Sequence, residues 1–189
     1  MDDIHLIRKI LQGDQPAFRA LVERYQDYVF TITFKVLKNR EQAEEVAQDV
    51  FIKVYKMLGS FKQKSKFSTW LYTIAYRSAL DEARKKKFRT DSIEDDNSFL
   101  QIEDRMGKSP TFNIFQKDLN QHLKKALEQL KPIDATVMSL FYLKEKNVQE
   151  IGEITGLSVS NIKTKLHRVR EQLRIQLVSN LKTEAKDLI

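Results

Sequence analysis

The stretch 156–174, GLSVSNIKTKLHRVREQLR, carries residues whose types and spacing suit recognition chemistry. On a helix that turns about 100° per residue, its short polar and basic side chains gather on one side. Hydroxyl, ammonium and imidazole groups can donate or accept hydrogen bonds at the edges of DNA bases. The residues we assign to base edges are Ser160, Lys163, Thr164 and His167. The apolar residues that must face a core are Ile162, Leu166, Val169 and Leu173.

Basic residues flank this polar side, and they suit the phosphate groups of a nucleic acid. Between Ser158 and Gln176, five charged residues are basic and one is acidic. We assign to phosphates Lys165, Arg168, Arg170 and Arg174. Just upstream, VQEIGEITG predicts a short helix and a glycine turn, which completes a helix-turn-helix. A solvated helix on the surface of a bundle is also often rich in lysine, so spacing alone leaves that alternative open.

A second stretch, FKQKSKFSTWLYTIAYRSALDEARKKKFR, interleaves aromatic residues with basic ones. Between Ser60 and Arg89 there are nine basic residues and two acidic ones. This pattern suits single-stranded nucleic acid, because bases stack on rings while the backbone follows the positive charge. On the predicted helix Trp70, Thr73, Arg77 and Arg84 share a side, whereas Phe67, Leu71, Ile74, Ala75 and Ser78 face inward. Alternatively, Trp70 lies at the edge of the core, and RKKK complements a helix C-terminus.

The helix predicted for EQAEEVAQDVFIKVYKML differs, because its outer side is acidic. Such a face repels DNA and suits a basic protein partner, or no partner. The chain has three histidines and no cysteine, with no metal-spaced cluster, glycine-rich phosphate loop or nucleophile elbow. We therefore predict no catalytic residue, no metal site and no cofactor, and the interpretation as an enzyme is disfavoured.

Composition is consistent with a polyanion partner and an all-α fold. The 189 residues carry a net charge of +7, and glycine and proline are scarce, at 5 and 3. Scarcity of turn-forming residues favours helices over many short strands. No apolar run reaches the length of a membrane span, and the first ten residues do not resemble a signal peptide. We therefore expect a cytoplasmic protein without stable membrane insertion of its own.

Capping residues mark the helices that must position these side chains. The predicted N-terminal caps are Asp14, Asn39, either Ser68 or Thr69, Asn147 with Glu150 as a capping box, and Ser158. The predicted helix ends are at Gly13, Gly59 and Gly156, and Pro132 is expected to open a helix.

Charge and periodicity divide the chain into two helical domains and a tether. Residues 1–89 and 110–189 have helical periodicity, whereas 90–109 do not. Between Asp91 and Asp104 there are six acidic residues and no basic one, which predicts a flexible acidic linker. The expected fold is all-α, with two small domains, the second containing the helix-turn-helix. Because the tether lacks apolar anchors at helical spacing, we expect the two domains to move independently.

The motifs together resemble the extracytoplasmic-function (ECF) subgroup of the sigma-70 family of bacterial transcription initiation factors. AEEVAQDVFIKVYKML resembles region 2.2 of that family, and FKQKSKFSTWLYTIAYRSALDEARKK resembles regions 2.3 and 2.4. ALEQLKPIDATVMSLFYLKEKNVQEIGEITGLSVSNIKTKLHRVREQL resembles region 4. Gly152 departs from the usual alanine. Lys163, Thr164 and Lys165 stand where arginine, serine and arginine are frequent, so promoter sequence cannot be copied from relatives.

The resemblance implies a non-enzymatic sigma factor that directs core RNA polymerase to promoters. Residues 1–89 would be region 2, and residues 110–189 would be region 4, which reads −35 duplex and contacts the β flap. Docking on the β′ clamp helices would use Glu45, Gln48 and Asp49. Capture of the melted −10 element would use Phe61, Lys62, Lys64, Lys66, Phe67, Thr69, Trp70, Thr73, Arg77, Asp81 and Arg84. An anti-sigma factor is a further implied partner. The alternative is a stand-alone helix-turn-helix regulator.

Overall fold

The structure, a computed structural model, describes residues 2–90 and 129–187. Its helices there are α1 (Asp3–Leu11), α2 (Gln15–Leu37), α3 (Arg40–Met57), α4 (Phe67–Thr90), α5 (Pro132–Met138), α6 (Val148–Thr155) and α7 (Val159–Asp187). A 3₁₀ turn (Leu58–Ser60) follows α3, and a π-helical segment (Ser139–Leu143) follows α5. The expected all-α fold is confirmed. Most of the expected linker, 90–109, lies outside the described residues.

The N-terminal lobe, α1 to α4, is built around α2, which packs against the three other helices. Apolar residues at three- and four-residue spacing place one side of each helix in this core. Leu21 and Val29 of α2 are buried, as are Val50 and Val54 of α3. Val46, Val50 and Val54 follow one another at four-residue spacing, so the same side of α3 faces the core at each turn.

Two of the predicted caps in this lobe form as expected. The Asp14 carboxylate accepts a hydrogen bond from the Ala17 amide at 3.0 Å, and the Asn39 side chain accepts one from the Gln42 amide at 2.9 Å. Each bond satisfies an amide that the first turn of a helix leaves without a partner. Gly13 closes the turn after α1 with a φ of +93°, a conformation that glycine adopts without strain.

The start of α4 differs from the prediction that Ser68 or Thr69 caps it. The helix begins at Phe67, and the carbonyl of Lys66 accepts from the amides of Thr69 and Trp70 at 3.0 and 3.2 Å. Ser68 and Thr69 therefore lie within the first turn. Their hydroxyls bond to the second lobe instead of to the backbone of α4.

The C-terminal lobe contains α5, α6 and α7, and its local signals were predicted well. Asn147 and Glu150 form the capping box of α6, with reciprocal bonds of 2.9 and 3.1 Å. Gly156 ends α6 in the left-handed region at a φ of +76°. Pro132 opens α5, and the Ser158 hydroxyl accepts from the Asn161 amide at the start of α7.

The two lobes pack against each other, whereas the sequence predicted independent movement. Helix α2 contacts α5, and α4 contacts α6. The buried apolar residues of both lobes form one continuous cluster. The local patterns that define each lobe contain no signal for this contact, which joins residues far apart in the chain.

Gly152 provides a test of packing in the helix-turn-helix. A Cβ at this position would lie 3.0 Å from the carbonyl oxygen of Leu157 and 3.7 Å from Cδ1 of Ile162. We expect Gly152→Ala to change the free energy of unfolding by less than about 1 kcal/mol, because higher helix propensity offsets the tight contact. Gly152→Val should lose about 1–3 kcal/mol through overpacking.

Urea unfolding of the full chain measures both changes. Gly59→Ala is the matched control, since a Cβ there would meet only Leu11 Cδ2 at 3.9 Å. Equal stability of Gly152→Val and Gly152→Ala would contradict the close approach of the Leu157 carbonyl.

Candidate nucleic-acid interface

Helix α7 presents the polar side that its sequence predicts. Ile162, Leu166, Val169 and Leu173 are buried against α5 and α6. On the opposite side, the residues predicted for base edges are all exposed: Ser160, Lys163, Thr164 and His167. The Thr164 hydroxyl donates to the Ser160 carbonyl at 3.0 Å, which leaves its oxygen lone pairs directed outward. The arrangement leaves two basic groups and two hydroxyls accessible along the first turns of α7.

Two of the residues predicted to contact phosphates, Lys165 and Arg168, are bound by a buried carboxylate. Asp134 of α5 is only 4% exposed, and it accepts bonds from Lys165 at 2.8 Å and Arg168 at 3.1 Å. A buried carboxylate needs such partners, because removal from water penalises its charge strongly. Asp134 therefore fixes the direction of both basic side chains. Asp134 was not among the residues predicted from sequence, although an acidic residue in an otherwise apolar first turn is a usable signal.

The two remaining predicted phosphate residues have weaker, exposed partners. The Arg170 guanidinium donates to the Tyr142 hydroxyl and lies 5.5 Å from the centre of that ring. Arg174 pairs with Glu171 at 3.0 Å, with both side chains largely exposed. An exposed ion pair such as Arg174–Glu171 contributes about 0–1 kcal/mol, so a phosphate can replace Glu171 at little cost.

In the N-terminal lobe, the aromatic residues predicted for the −10 strand form a cluster at the start of α4. The Phe61 and Trp70 rings lie 5.3 Å apart, and the Phe67 ring lies 5.6 Å from both Phe61 and Tyr25. Phe67 is buried, so it supports the cluster from below and its ring is not presented to solvent. Phe61 and Trp70 are partly buried against the core and keep part of each ring at the surface.

The charged residues of this surface are accessible, but its two threonines are engaged. Lys62, Lys64, Lys66, Arg77, Asp81 and Arg84 are exposed. The Thr73 hydroxyl donates to the Thr69 carbonyl at 2.8 Å. Thr69 itself is buried, and its hydroxyl donates to Glu150 of the C-terminal lobe at 3.2 Å. A nucleic acid can therefore reach Thr69 only if α6 moves away.

Glu150 of the C-terminal lobe lies against this basic surface, with its carboxylate 3.5 Å from Nζ of Lys66. Burial alone would raise its pKa, but hydrogen bonds from the Asn147 amide and Lys146, and the charges of Lys146 and Lys66, outweigh burial. The net effect holds the pKa of the Glu150 carboxyl below its ordinary value. Glu150 therefore stays ionised at neutral pH in this contact.

The outer side of α3 is acidic, as its sequence predicts. Glu45, Gln48 and Asp49 are exposed along one side of the helix. Their row continues into Ile52 and Tyr55, whose side chains are about half exposed at 53% and 49%. The acidic residues alone defined the outer side in the prediction from sequence, and Ile52 and Tyr55 were not included in it.

An exposed polar and basic helix face in a helix-turn-helix, beside a second lobe with aromatic and basic groups, is typical of a two-lobed, all-helical DNA-binding protein. Two family descriptions match the chain: Sigma-70 region 2 over residues 21–89, and Sigma-70, region 4 over residues 121–173. Among the described residues, no helix is long and apolar enough to cross a membrane, and no group of side chains is arranged to hold a metal ion.

Curated relatives match nearly the whole chain. The ECF RNA polymerase sigma factor SigW of Bacillus subtilis (strain 168) is 35% identical over 90% of this chain and 94% of its own length. The ECF RNA polymerase sigma-E factor of Escherichia coli (strain K12) is 28% identical over 92% and 93%. The chain therefore belongs to the sigma-70 family, in its ECF group, and is a sigma factor.

Solved structures share the fold at lower sequence identity. The sigma factor RpoE of Bartonella quintana, in complex with the anti-sigma factor NepR, has a TM-score of 0.68 and 20% identity. The alignment covers 85% of this chain and 96% of that one. CnrH, in complex with the cytosolic domain of CnrY, has a TM-score of 0.63 and 20% identity, over 94% and 97%.

Asp134 yields a prediction about coupled charges. Lys165→Met and Arg168→Met should each lower the free energy of unfolding by less than about 1 kcal/mol, because the other cation still neutralises Asp134. The double variant should lose roughly 2–3 kcal/mol, since it leaves a buried carboxylate without a cation.

Adding Asp134→Asn to the double variant should recover part of that loss, because the neutral amide is less costly to bury. Chemical denaturation of the wild type and these four variants measures the coupling. Simple additivity of the two single losses would show that Asp134 does not bind the two cations as a unit.

Proposed function

We propose that this sigma factor reads −35 duplex with the exposed side of α7 and captures the melted −10 strand with the start of α4. The observation that best supports this proposal is the geometry of α7. Its apolar stripe is buried, and the residues proposed to contact bases are exposed on the opposite side. Base contacts are assigned to Ser160, Lys163, Thr164 and His167, and phosphate contacts to Lys165, Arg168, Arg170 and Arg174. Region 2 is assigned to residues 1–89, region 4 to residues 110–189, and the tether between them to 90–109.

The −10 surface is proposed to combine ring stacking with phosphate contacts. Phe61 and Trp70 supply ring faces, and Phe67 holds them in place from within the core. The exposed basic groups that would follow the strand backbone are Lys62, Lys64, Lys66, Arg77 and Arg84, with Asp81 and Thr73 beside them. Stacking on aromatic side chains contributes roughly 1–3 kcal/mol per base, which is enough to favour bases that have left the duplex.

The protein partners are proposed from the acidic face of α3 and from the relatives. Glu45, Gln48 and Asp49 would dock on the β′ clamp helices of core RNA polymerase, and the C-terminal lobe would contact the β flap. RpoE has been solved with an anti-sigma factor, which supports an anti-sigma factor as a partner of this chain also. The protein would act without catalytic chemistry of its own, in the cytoplasm with the polymerase. A stand-alone regulator would leave the acidic face of α3 without a role.

The first test of this function is transcription. Core polymerase with this chain should give promoter-specific run-off products on a random promoter library, and core polymerase alone should not. Glu45→Lys with Asp49→Lys should weaken core binding by about tenfold or more, because both charge reversals face the docking site. Circular dichroism should show unchanged helix content, since both side chains are exposed.

The matched control is Glu23→Lys with Glu153→Lys, an equal charge change at exposed positions of α2 and α6. Equal loss of core binding in the control would mean that net charge, rather than the α3 face, determines affinity. Absence of promoter-specific products with wild-type protein would overturn the proposed function.

The second test separates base contacts from phosphate contacts. Lys163→Ala and His167→Ala should each cost about 1–3 kcal/mol at one or two promoter positions and relax base preference there. Arg168→Ala should weaken binding to all duplex sequences alike. It should also reduce the slope of log affinity against log salt concentration by about 0.9. The measurement is binding of the polymerase complex to −35 duplexes with single substitutions at several salt concentrations.

Stability must be checked in parallel, because Arg168 also pairs with Asp134. Suppose that Lys163→Ala weakens binding to all sequences alike and Arg168→Ala alters base preference. Lys163 would then contact a phosphate and Arg168 a base, which is the reverse of the assignment. Unchanged binding by all three variants would show that α7 does not read DNA.

A further inference from the structure

Tyr25 of α2 supports the aromatic cluster at the start of α4 from within the core. Its side chain is buried, and its ring packs edge-to-face against Phe67, with the ring centres 5.6 Å apart. Phe67 in turn contacts the two partly exposed rings of the cluster, Phe61 at 5.6 Å and Trp70 at 5.7 Å. Aromatic pairs have preferred geometries, so the tilt of the Tyr25 ring limits the positions that Phe67 can adopt. The orientation of the two surface rings therefore depends on a buried residue of another helix.

The hydroxyl of Tyr25 is fixed by a carboxylate of α1. Asp3, at the start of that helix, accepts a hydrogen bond from the Tyr25 hydroxyl through Oδ2 at 2.5 Å. Its other oxygen, Oδ1, accepts from the Arg24 guanidinium at 2.6 Å. Burial and the bond to Asp3 raise the pKa of the Tyr25 hydroxyl, so this group stays protonated and remains a donor. A charged acceptor makes such a bond stronger than a bond between neutral groups.

Helix α1 also contacts the segment that leads into Phe61. It packs against the 3₁₀ turn Leu58–Ser60, and a Cβ at Gly59 in that turn would lie 3.9 Å from Cδ2 of Leu11. The Phe61 amide donates to the carbonyl of the first residue of the turn at 3.1 Å. Helix α1 therefore reaches the aromatic cluster by two routes, through Tyr25 and through the turn. The match to Sigma-70 region 2 begins at residue 21, so α1 lies outside the matched residues.

We propose that Asp3 is a positioning residue for capture of the −10 strand, because it holds the Tyr25 ring and so keeps Phe67 and the two surface rings in one arrangement. This inference rests on the proposed function, which assigns Phe61 and Trp70 to the melted strand. Side chains that are ordered only on binding reduce affinity by the cost of ordering them, so rings held in place beforehand capture a base more readily. Asp3 would act through Tyr25 rather than by contact with DNA.

Trp70 provides a direct readout, because it is the single tryptophan of the chain. Its fluorescence emission and its quenching by acrylamide report the surroundings of this one ring in full-length protein without polymerase. Asp3→Ala should shift the emission to longer wavelength and raise the quenching constant, because the loosened cluster exposes more of the indole. Tyr25→Phe should do the same, since the ring remains and only the bond to Asp3 is lost. The double variant should match Asp3→Ala, because both changes remove one shared interaction.

Asp3→Asn separates the hydrogen bond from the charge. Its amide oxygen can still accept from the Tyr25 hydroxyl, whereas the ion pair with Arg24 is lost. We expect Asp3→Asn to restore most of the Trp70 signal, because a partly exposed ion pair contributes little. The matched control is Asp14→Ala, which removes a carboxylate that bonds to the first turn of α2. It should lower the midpoint of urea unfolding and leave the Trp70 emission and quenching as in the wild type.

Promoter opening tests the consequence for function. Core polymerase is combined with each variant on a promoter selected from the random library, with a fluorescent adenine analogue in the strand that opens. Asp3→Ala and Tyr25→Phe should each slow strand opening by about two- to tenfold, the effect of one lost hydrogen bond. Asp3→Asn should recover most of the rate, and Asp14→Ala should leave it unchanged. Trp70→Ala gives the reference for loss of the ring.

The outcomes separate this inference from the proposed function. An unchanged Trp70 signal in both Asp3→Ala and Tyr25→Phe would overturn the positioning role, even where the wild type opens promoters. Slower opening by Asp3→Ala with an unchanged Trp70 signal would overturn it as well, because Asp3 would then act by another route. If Trp70→Ala opens promoters as fast as the wild type, the assignment of the −10 surface fails, whereas a changed Trp70 signal would still support control of the ring by Asp3. Tyr25→Phe loses a single oxygen atom, so it keeps the test decisive if Asp3→Ala lowers helix content.

Discussion

Burial of the Lys146 ammonium constrains the arrangement of the two lobes, because its acceptors come from both of them. A buried charge without partners costs far more than the net stability of a small domain tolerates. Ser68, Thr69 and Glu150 must therefore hold their places together. Glu150 also forms the capping box with Asn147, so the N-terminus of α6 and the contact between lobes depend on one carboxylate. A change in the angle between the lobes would disturb both at once.

The same electrostatic requirement organises the reading helix. Asp134 is buried under α7, and its two cations come from the flank of the polar side. The buried carboxylate thus sets where Lys165 and Arg168 point, while the apolar stripe sets the rotation of α7. The groups proposed to contact bases are positioned by packing of the apolar stripe, whereas Lys165 and Arg168, proposed to contact phosphates, are positioned by the buried charge of Asp134. This separation explains why substitutions in the two groups have different expected consequences.

Local periodicity and capping chemistry predicted most of the fold from sequence. The buried stripe of α7, the caps at Asp14 and Asn39, and the capping box of α6 all depend on residues a few positions apart. The contacts of Lys146 with Ser68 and Thr69 join residues 78 and 77 positions apart, and no local pattern encodes them. The error at the start of α4 has the same origin, because a hydroxyl that suits a cap was used by a distant ammonium.

Charged groups on α7 and at the start of α4 have protein partners in this structure. These partners differ in how readily another ligand could replace them. Arg174 and Glu171 are 68% and 46% exposed, so their ion pair contributes little and a phosphate can displace Glu171 without movement of the backbone. Lys146 and Glu150 are 7% and 13% exposed, and neither can leave its partners without rehydration of both. Exchange on α7 is therefore a local event, whereas exchange at the start of α4 requires the lobes to separate. A ligand can therefore reach the exposed side of α7 while the lobes remain packed, but it cannot reach Thr69 until α6 moves away.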